Sequence, residues 1–301
     1  VWKIIMNPTA IITGDIHLRE DTPECRIDDF FSEQAKKIEW LYDLQEKYNC
    51  PILDAGDLFS KSKPSHYLTQ WAIRNLPNNF HTVPGNHDLP NHNVSLLNKS
   101  ALGVLVAAGI TTVKNKPFFL YKTKVYPFAW GDELYPVQHN KKTRQIALCH
   151  VMTYMGESPW PNCRDPHAKL LMRKMKGYDL IITGHNHKAF VIESHTSGQL
   201  LVNPGSLMRS SVDQIDFKPR VYLWDSNKNK VEPVYVPIKK NVITREHVDK
   251  KKNKDERINA FVEKLTDDLD ISSSFIKNME EYFATHETKP LVQEIVWKAL
   301  G

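Results

Sequence analysis

The stretch TVPGNHDLP, residues 82–90, sets an amide, an imidazole and a carboxylate in a row between an apolar run and a proline. Alone it reads as a loop, because Gly, Asn and Asp are turn formers. Its meaning comes from four other places where a short apolar run ends in a polar cluster. These are TAIITGDIHL (9–18), CPILDAGDLF (50–59), RQIALCHV (144–151) and DLIITGHNH (179–187). Each run has the length and composition of a buried strand. Between them lie segments with helical spacing. DDFFSEQAKKIEWLYDLQEKY places Phe30, Phe31, Ile38, Leu41 and Leu44 on one face. HYLTQWAIRNL, NVSLLNKSALGVLVAAGI and AKLLMRKMKG read the same way.

Strands alternating with helices imply an α/β core, and ligands in such sheets sit just beyond the carboxyl ends of the strands. The five polar clusters are therefore expected to converge on one edge of one sheet. From about Ala189 the pattern changes to short strands: AFVIES, QLLVNPGS, PRVYLWD and VEPVYVPI. They predict a second sheet packed on the first. KNKPFFLYKTK (114–124) reads as a hairpin at a sheet edge, where lysines oppose aggregation. The expected fold is thus α/β, with two packed β-sheets flanked by helices over residues 1–247. A short helical C-terminal appendage over 248–301 follows. After the charged run DKKKNKDER, three apolar stripes mark it: Ile258, Phe261, Val262, Leu265 and Leu269; Phe275, Ile276, Met279 and Phe283; and Leu291, Ile295, Val296 and Leu300. Ser272 to Ser274 offer caps for the second stripe, and Pro290 starts the third.

Composition excludes several classes. With 301 residues and 41% hydrophobic content, the chain suits a globular protein with a sizeable core. No apolar run approaches a membrane span, and no secretory leader is visible. Cys25, Cys50, Cys149 and Cys163 are scattered without a C-x-x-C pair, as for reduced thiols in a cytoplasmic protein. The net charge of +5 is uneven. Residues 248–301 hold 9 Lys/Arg against 11 Asp/Glu, so residues 1–247 carry +7. A basic body suits an anionic partner such as nucleic acid.

A lone D-x-H, a lone G-D or a single His after a strand has an ordinary structural explanation. The joint pattern of Asp15, His17, Asp57, Asn86, His150, His185 and His187, each at a strand's end, is not a coincidence of that kind. Carboxylates, imidazoles and an amide oxygen form a mixed O/N donor set without thiolate. Such a set suits Mn, Fe or Zn better than an all-oxygen Mg or Ca site. Seven donors are too many for one four-coordinate ion. They suit two ions, roughly 3.5–4 Å apart and bridged by a carboxylate, which activate a water and clamp a phosphoryl group.

The ordered set D-x-H, G-D, G-N-H-D, H and G-H-x-H resembles the calcineurin-like metallophosphoesterase family over roughly residues 9 to 240. The resemblance implies that Asp15, His17, Asp57 and His187 hold one ion. Asp57, Asn86, His150 and His185 hold the other, so Asp57 bridges. It also implies that His87 contacts the phosphate and protonates the leaving oxygen, and that Asp88 orients the ring of His87.

The Ser/Thr phosphatase branch carries GDxHG, GDxVDRG and GNHE; here Leu18, the run GDLFSKS and Asp88 depart from it. GDLFSKSKPSHY, PGNHD and NPGSLMRSS are similar to the SbcD-like DNA repair exonucleases. That likeness implies two divalent ions, Mn first with Fe, Zn or Mg as alternatives. Its implied partners are DNA, an SbcC-like coiled-coil ATPase and a second copy of the chain. Ser60 stands where many relatives have a second His, and Arg19 where a Gly is common. Lys61, Lys63, Arg164, Lys188 and Arg209 are candidates for DNA phosphates, and Tyr154 and Trp160 for stacking on an unpaired base. Two other readings stay open. One is a small-molecule phosphodiesterase or nucleotide phosphatase of the same superfamily. The other is a scaffold with a vestigial site, against which the complete donor set argues.

Overall fold

The run AIIT (β1, Ala10–Thr13) is buried at all four residues and forms the centre of the first sheet. Its consecutive side chains serve different cores. Ile11 packs with Ile38, Leu41 and Leu44 of helix α1 (Phe30–Tyr48), while Ile12 packs between the two sheets. That is the period-two alternation of a strand covered on both faces. The structure is a computed structural model that describes residues 7–246, 248, 256, 258 and 275–299.

β1 pairs in parallel with β2 (Ile52–Asp54), which is followed by β3 (Phe80–Thr82) and β4 (Thr111–Val113), also parallel. Helices α1, α2 (His66–Asn75) and α3 (Ala101–Ala107) form the crossovers. Each begins with a side chain that satisfies an otherwise orphaned N–H: Asp29 accepts from Ser32, Ser65 from Leu68 and Ser100 from Gly103. The second sheet contains β5 (Phe118–Leu120), β6 (Thr123–Phe128), β7 (Arg144–Cys149), β8 (Leu180–Thr183), β9 (Phe190–Glu193) and β10 (Leu200–Asn203). Its order is β5-β6-β7-β8-β10-β9, with β6, β7, β8 and β10 parallel. Helix α4 (Ala168–Lys174) covers its outer face through Leu171 and Met172.

Between the sheets, Ile12, Leu53 and Val83 meet Ile146, Leu148, Ile182 and Val202, with Trp224 fully buried among them. Each such side chain contributes roughly 1.5–3 kcal/mol of burial. The α/β fold with two packed sheets and flanking helices is therefore present, but the strands are shared out differently from expectation. Those after Ala189 do not form a sheet of their own. β9 and β10 extend the sheet of β8, whereas β11 (Arg220–Asp225) adds antiparallel to β1 and β12 (Lys230–Tyr235) antiparallel to β11. Apolar pattern reports burial, not which edge a strand joins. The region expected as one helix after Asn93 is a 3-10 segment, Val94–Lys99, followed by α3. The expected hairpin is β5–β6, with β5 at the sheet edge.

The chain divides into two compact units, Val1–Thr244 and Arg245–Gly301. In the second, α5 (Phe275–Thr285) and α6 (Pro290–Ala299) are helical, and the rings of Phe283 and Trp297 meet at 5.7 Å. Leu291 and Ile295 are exposed. Phe261, Val262, Leu265, Leu269, Ser272 to Ser274 and Leu300 lie outside the described residues. All four cysteines are free thiols, three of them buried. Among the described residues no helix is long and apolar enough to cross a membrane.

Candidate metal centre

The loops after β1 and β2 stay paired beyond the strands. The N–H groups of Asp15, His17 and Leu18 donate to the carbonyls of Gly56, Asp57 and Leu58 at 2.8–2.9 Å. This pairing turns the chain sharply and aims its side chains inward. Asp15, His17, Asp57 and His185 all adopt left-handed φ values, 48°, 51°, 55° and 69°. Each costs on the order of 1–3 kcal/mol, and such strain gathers at functional sites. Two glycines make the close approach feasible. A Cβ on Gly85 would collide with the Asp57 carboxylate, and one on Gly56 (φ 94°) would lie 2.7 Å from His150 Nδ1.

The seven candidate ligands come together, but not at one edge of one sheet. Asp15, His17, Asp57 and Asn86 follow strands of the first sheet, and His150, His185 and His187 follow strands of the second. The two sheets face each other, and the ends of β1–β3 and of β7–β8 converge there. Asp15, His17 and His187 form one group of donors, and Asp57, His150 and His185 another; within each, the donor atoms lie within 4.8 Å of one another. Asp57 stands between them, its Oδ2 3.3 Å from His150 Nε2 and 3.7 Å from His17 Nε2. Asn86 Oδ1 is 2.9 Å from His185 Nδ1 and 3.2 Å from His150 Nε2.

These residues fit a pair of divalent ions. Asp15 Oδ2 is buried without a protein partner. His17 Nε2 and His187 Nε2 face each other at 3.0 Å. Burial holds His17 down at about 3 and His185 at about 4, and lowers His187 too, so their lone pairs are free near neutral pH. Burial raises Asp15 to about 7. His150 is different: burial opposes its charge, but the contact with Asp57 outweighs this and lifts it to about 9, while Asp57, despite its own burial, is held low by His150. A cation held in that pocket would supply Asp57 with the stabilising charge that protonated His150 otherwise gives it. The His150 Nδ1 already donates to Ala55 O at 2.7 Å, leaving Nε2 turned to the centre.

His87 is exposed at the rim, its ring edge-on to His17 at 4.9 Å. Its N–H donates to Asp57 Oδ1 at 2.8 Å. The expected role of Asp88 in aiming that ring is corrected by its hydrogen bonds. Asp88 is fully buried, and its carboxylate accepts from the N–H groups of Gly85, Leu58 and Phe59. It fastens the G-N-H-D turn to the Asp57 loop. The His87 ring meets the Ser60 carbonyl instead, Nδ1 to O 3.0 Å. Ser60 Oγ also donates to His17 O, so the residue in place of the relatives' His braces two site loops.

Lys61 lines the cavity of about 230 Å³ over Asp15, His17, His87 and His187. Lys63 lines an adjoining pocket of about 140 Å³ that shares Arg19, Ser60 and Lys61 with the first. Trp160, Arg164 and Lys188 are exposed; Tyr154 is half-buried and packs edge-on against His167. Arg209 is not available to substrate. It is buried, and its guanidinium donates to Ile215 O and Lys239 O, both at 2.7 Å.

Three further residues support the site. Trp130 lies 4.8 Å from the His185 ring and 6.0 Å from His150. Gln34 of α1 is fully buried, accepts from Arg19 N at 3.1 Å and donates to His17 O at 3.1 Å. Asn203 donates to the carbonyls of Asn186 and Lys188 and so clamps the loop that carries His185 and His187. Gln34 and Trp130 carry no motif; Asn203 opens the run NPGSLMRSS at a strand end, but that run does not mark it as a clamp on the histidine loop.

No curated protein matches the chain. Among solved structures, it is similar to a novel archaeal phosphodiesterase at 15% identity, covering 75% of this chain and 99% of that one, with a TM-score of 0.43. A metallophosphoesterase from Sphaerobacter thermophilus is 12% identical, with 76% and 89% covered and a TM-score of 0.38. A single mutant of Vps29 from Entamoeba histolytica is 16% identical, with 76% and 99% covered and a TM-score of 0.36. The calcineurin-like phosphoesterase family matches residues 8–189, a segment that carries every one of the seven donors. With that match and the convergence of those donors, the chain belongs to the calcineurin-like phosphoesterases, a family of metal-dependent hydrolases.

Proposed function

We propose that the chain is a two-metal DNA nuclease, an exonuclease subunit of DNA repair or recombination that works with Mn. The observation that carries this reading is the pair of adjoining cavities. The one over the donor cluster shares Arg19, Ser60 and Lys61 with a second pocket that is also lined by Lys63, Glu20 and Asp21, the last paired with Arg19. A substrate with phosphates beyond the scissile one would use both. The small size of the first cavity alone favours the second reading, a small-molecule phosphodiesterase or nucleotide phosphatase.

When bound, the two ions supply an activated water and neutralise charge on the phosphoryl oxygens. The chain's own residues do the rest. His87, exposed at the rim and held at Nδ1 by the Ser60 carbonyl, presents its other ring nitrogen to the leaving oxygen and donates a proton there. Such a positioned acid contributes typically 10²–10⁴-fold. Asp57 holds the His87 backbone N–H and so ties the acid to the donor cluster. Lys61 and Lys63 orient the chain of phosphates, while the Arg19 guanidinium is held by Asp21. On the same reading the partners are DNA, an SbcC-like coiled-coil ATPase and a second copy of the chain.

The test is cleavage of labelled single- and double-stranded DNA with Mn, alongside hydrolysis of bis-p-nitrophenyl phosphate. Wild type should degrade DNA. His87→Ala should lose about 10²–10⁴ in kcat with Mn stoichiometry kept, and Asp57→Asn should lose metal as well. Reporter turnover with DNA left intact, in the presence of the ATPase as well as alone, would favour the small-molecule reading.

A further inference from the structure

Away from the donor cluster, one open cavity of about 570 Å³ is lined by cations that no ion pair uses. Lys169 and Arg173 project from α4, and Lys176 from the turn after it; all three are exposed. The facing wall is the β9–β10 turn, where Ser194 and Ser197 bring their hydroxyls within 2.9 Å of each other. Glu193 is the one acid in the lining. Among the described residues, none of the three cations has a carboxylate partner.

The cavity's place in the fold connects it with the donor cluster. α4 leads into β8, so its first turn lies at the edge where the ligands emerge and its end lies at the opposite edge. That first turn is tied to the ligand loops. Thr153 Oγ1 donates to Pro166 O just before α4, and Asn186, between His185 and His187, donates to Thr153 O at 2.7 Å. Lys169 and Arg173 lie roughly 6 Å apart along α4 at helical rise, and Lys176 follows in the turn beyond it. Phosphates of one strand recur every ~3.4 Å along a duplex axis, so each of the three cations can face a phosphate of its own.

We infer that Lys169, Arg173 and Lys176, with Ser194 and Ser197, form a track for the phosphate backbone of a nucleic-acid strand running from the donor cluster across the second sheet. The inference rests on the nuclease reading for its ligand but makes a separate statement about binding. No cleavage is needed to test it.

The experiment measures binding of a 5′-fluorescent 20-nucleotide single strand by anisotropy, in EDTA, over a series of salt concentrations. Wild type is compared with K169Q/R173Q/K176Q and with K141Q/K142Q/K228Q, which removes the same charge from other exposed lysines. Melting curves of all three confirm that they are folded. The track variant should bind about 10- to 100-fold more weakly at low salt, with the slope of log K against log[salt] reduced by about 2, near 0.7 for each lost phosphate contact. The control variant should stay close to wild type, and a 4-nucleotide strand should show a much smaller effect. Equal losses in the two variants would overturn the track, as would a variant that loses affinity for thymidine monophosphate while keeping the 20-mer. Intact DNA binding with no cleavage would sink the nuclease reading and leave the track standing. Cleavage with unchanged slopes would do the reverse.

Discussion

Replacing Gln34 tests whether helix α1 sets the position of a candidate metal ligand, His17, that it does not itself carry. In Gln34→Leu the side chain keeps nearly its volume but loses both functions. Arg19 N–H loses its acceptor, and His17 C=O keeps only Ser60 Oγ as a side-chain partner. Leaving the half-buried Arg19 N–H without an acceptor costs about 1 kcal/mol, the low end of the range for a lost partner, and the second lost bond adds up to about 1 kcal/mol. A total of about 2 kcal/mol lowers the melting temperature of a unit this size by about 4–8 °C. Because the loop between the two bonds contains His17, Mn affinity should fall by about 10–100-fold, the usual cost of losing a group that orients a ligand. Gln34→Glu keeps an acceptor for Arg19 but loses the donor to His17, so it should fall between wild type and Gln34→Leu. Calorimetric melts in chelator report the first effect and Mn titration calorimetry the second. If Gln34→Leu melts within about 1 °C of wild type and binds Mn equally well, α1 is a cover for the sheet and the His17 loop is held by β2 alone.

Asp54 gives a prediction in pH. It is fully buried, accepts from Thr82 Oγ1 at 2.6 Å, and burial raises it from 3.8 to about 8. Between those values the folded state holds a proton that the unfolded state has lost, so stability falls as pH rises, by up to about 1.4 kcal/mol per unit. Above about 8 the loss levels off. Urea unfolding in chelator should therefore show Asp54→Asn gaining on wild type from pH 5 to 8, and parallel profiles would contradict the assignment. Arg209→Ala should cost about 1–3 kcal/mol of stability, since it frees two backbone carbonyls, and should leave the salt dependence of DNA binding unchanged. A reduced slope would return Arg209 to the binding surface. Saturating Mn, at a hundred times its Kd, should stabilise wild type by about 2.7 kcal/mol per ion. In Asp57→Asn most of that shift should vanish; an undiminished shift would remove Asp57 from its bridging place.

What could be read directly from the chain was the list of donors and the strand ends that bear them. AIIT, ILD, FHT and LIIT are short, buried and followed within four residues by Asp, His or Asn, and carboxyl ends of parallel strands are where α/β ligands gather. Local sequence determines this much because burial and turn chemistry act over a few residues. Tertiary structure alone decided which strands share a sheet, because β10 beside β8 and β11 beside β1 are choices among edges that look alike in sequence. It also decided which carboxylate does what. Asp54, Asp57 and Asp88 are the same side chain at or just beyond the ends of neighbouring strands, yet one bonds Thr82 and Gly56, one faces two histidines, and one holds three backbone N–H groups. Gln34, Trp130 and the left-handed backbone at four ligand positions were likewise settled only when distant segments met. A hydrogen bond or a strained φ depends on what arrives from elsewhere in the chain, and no neighbour in sequence records it.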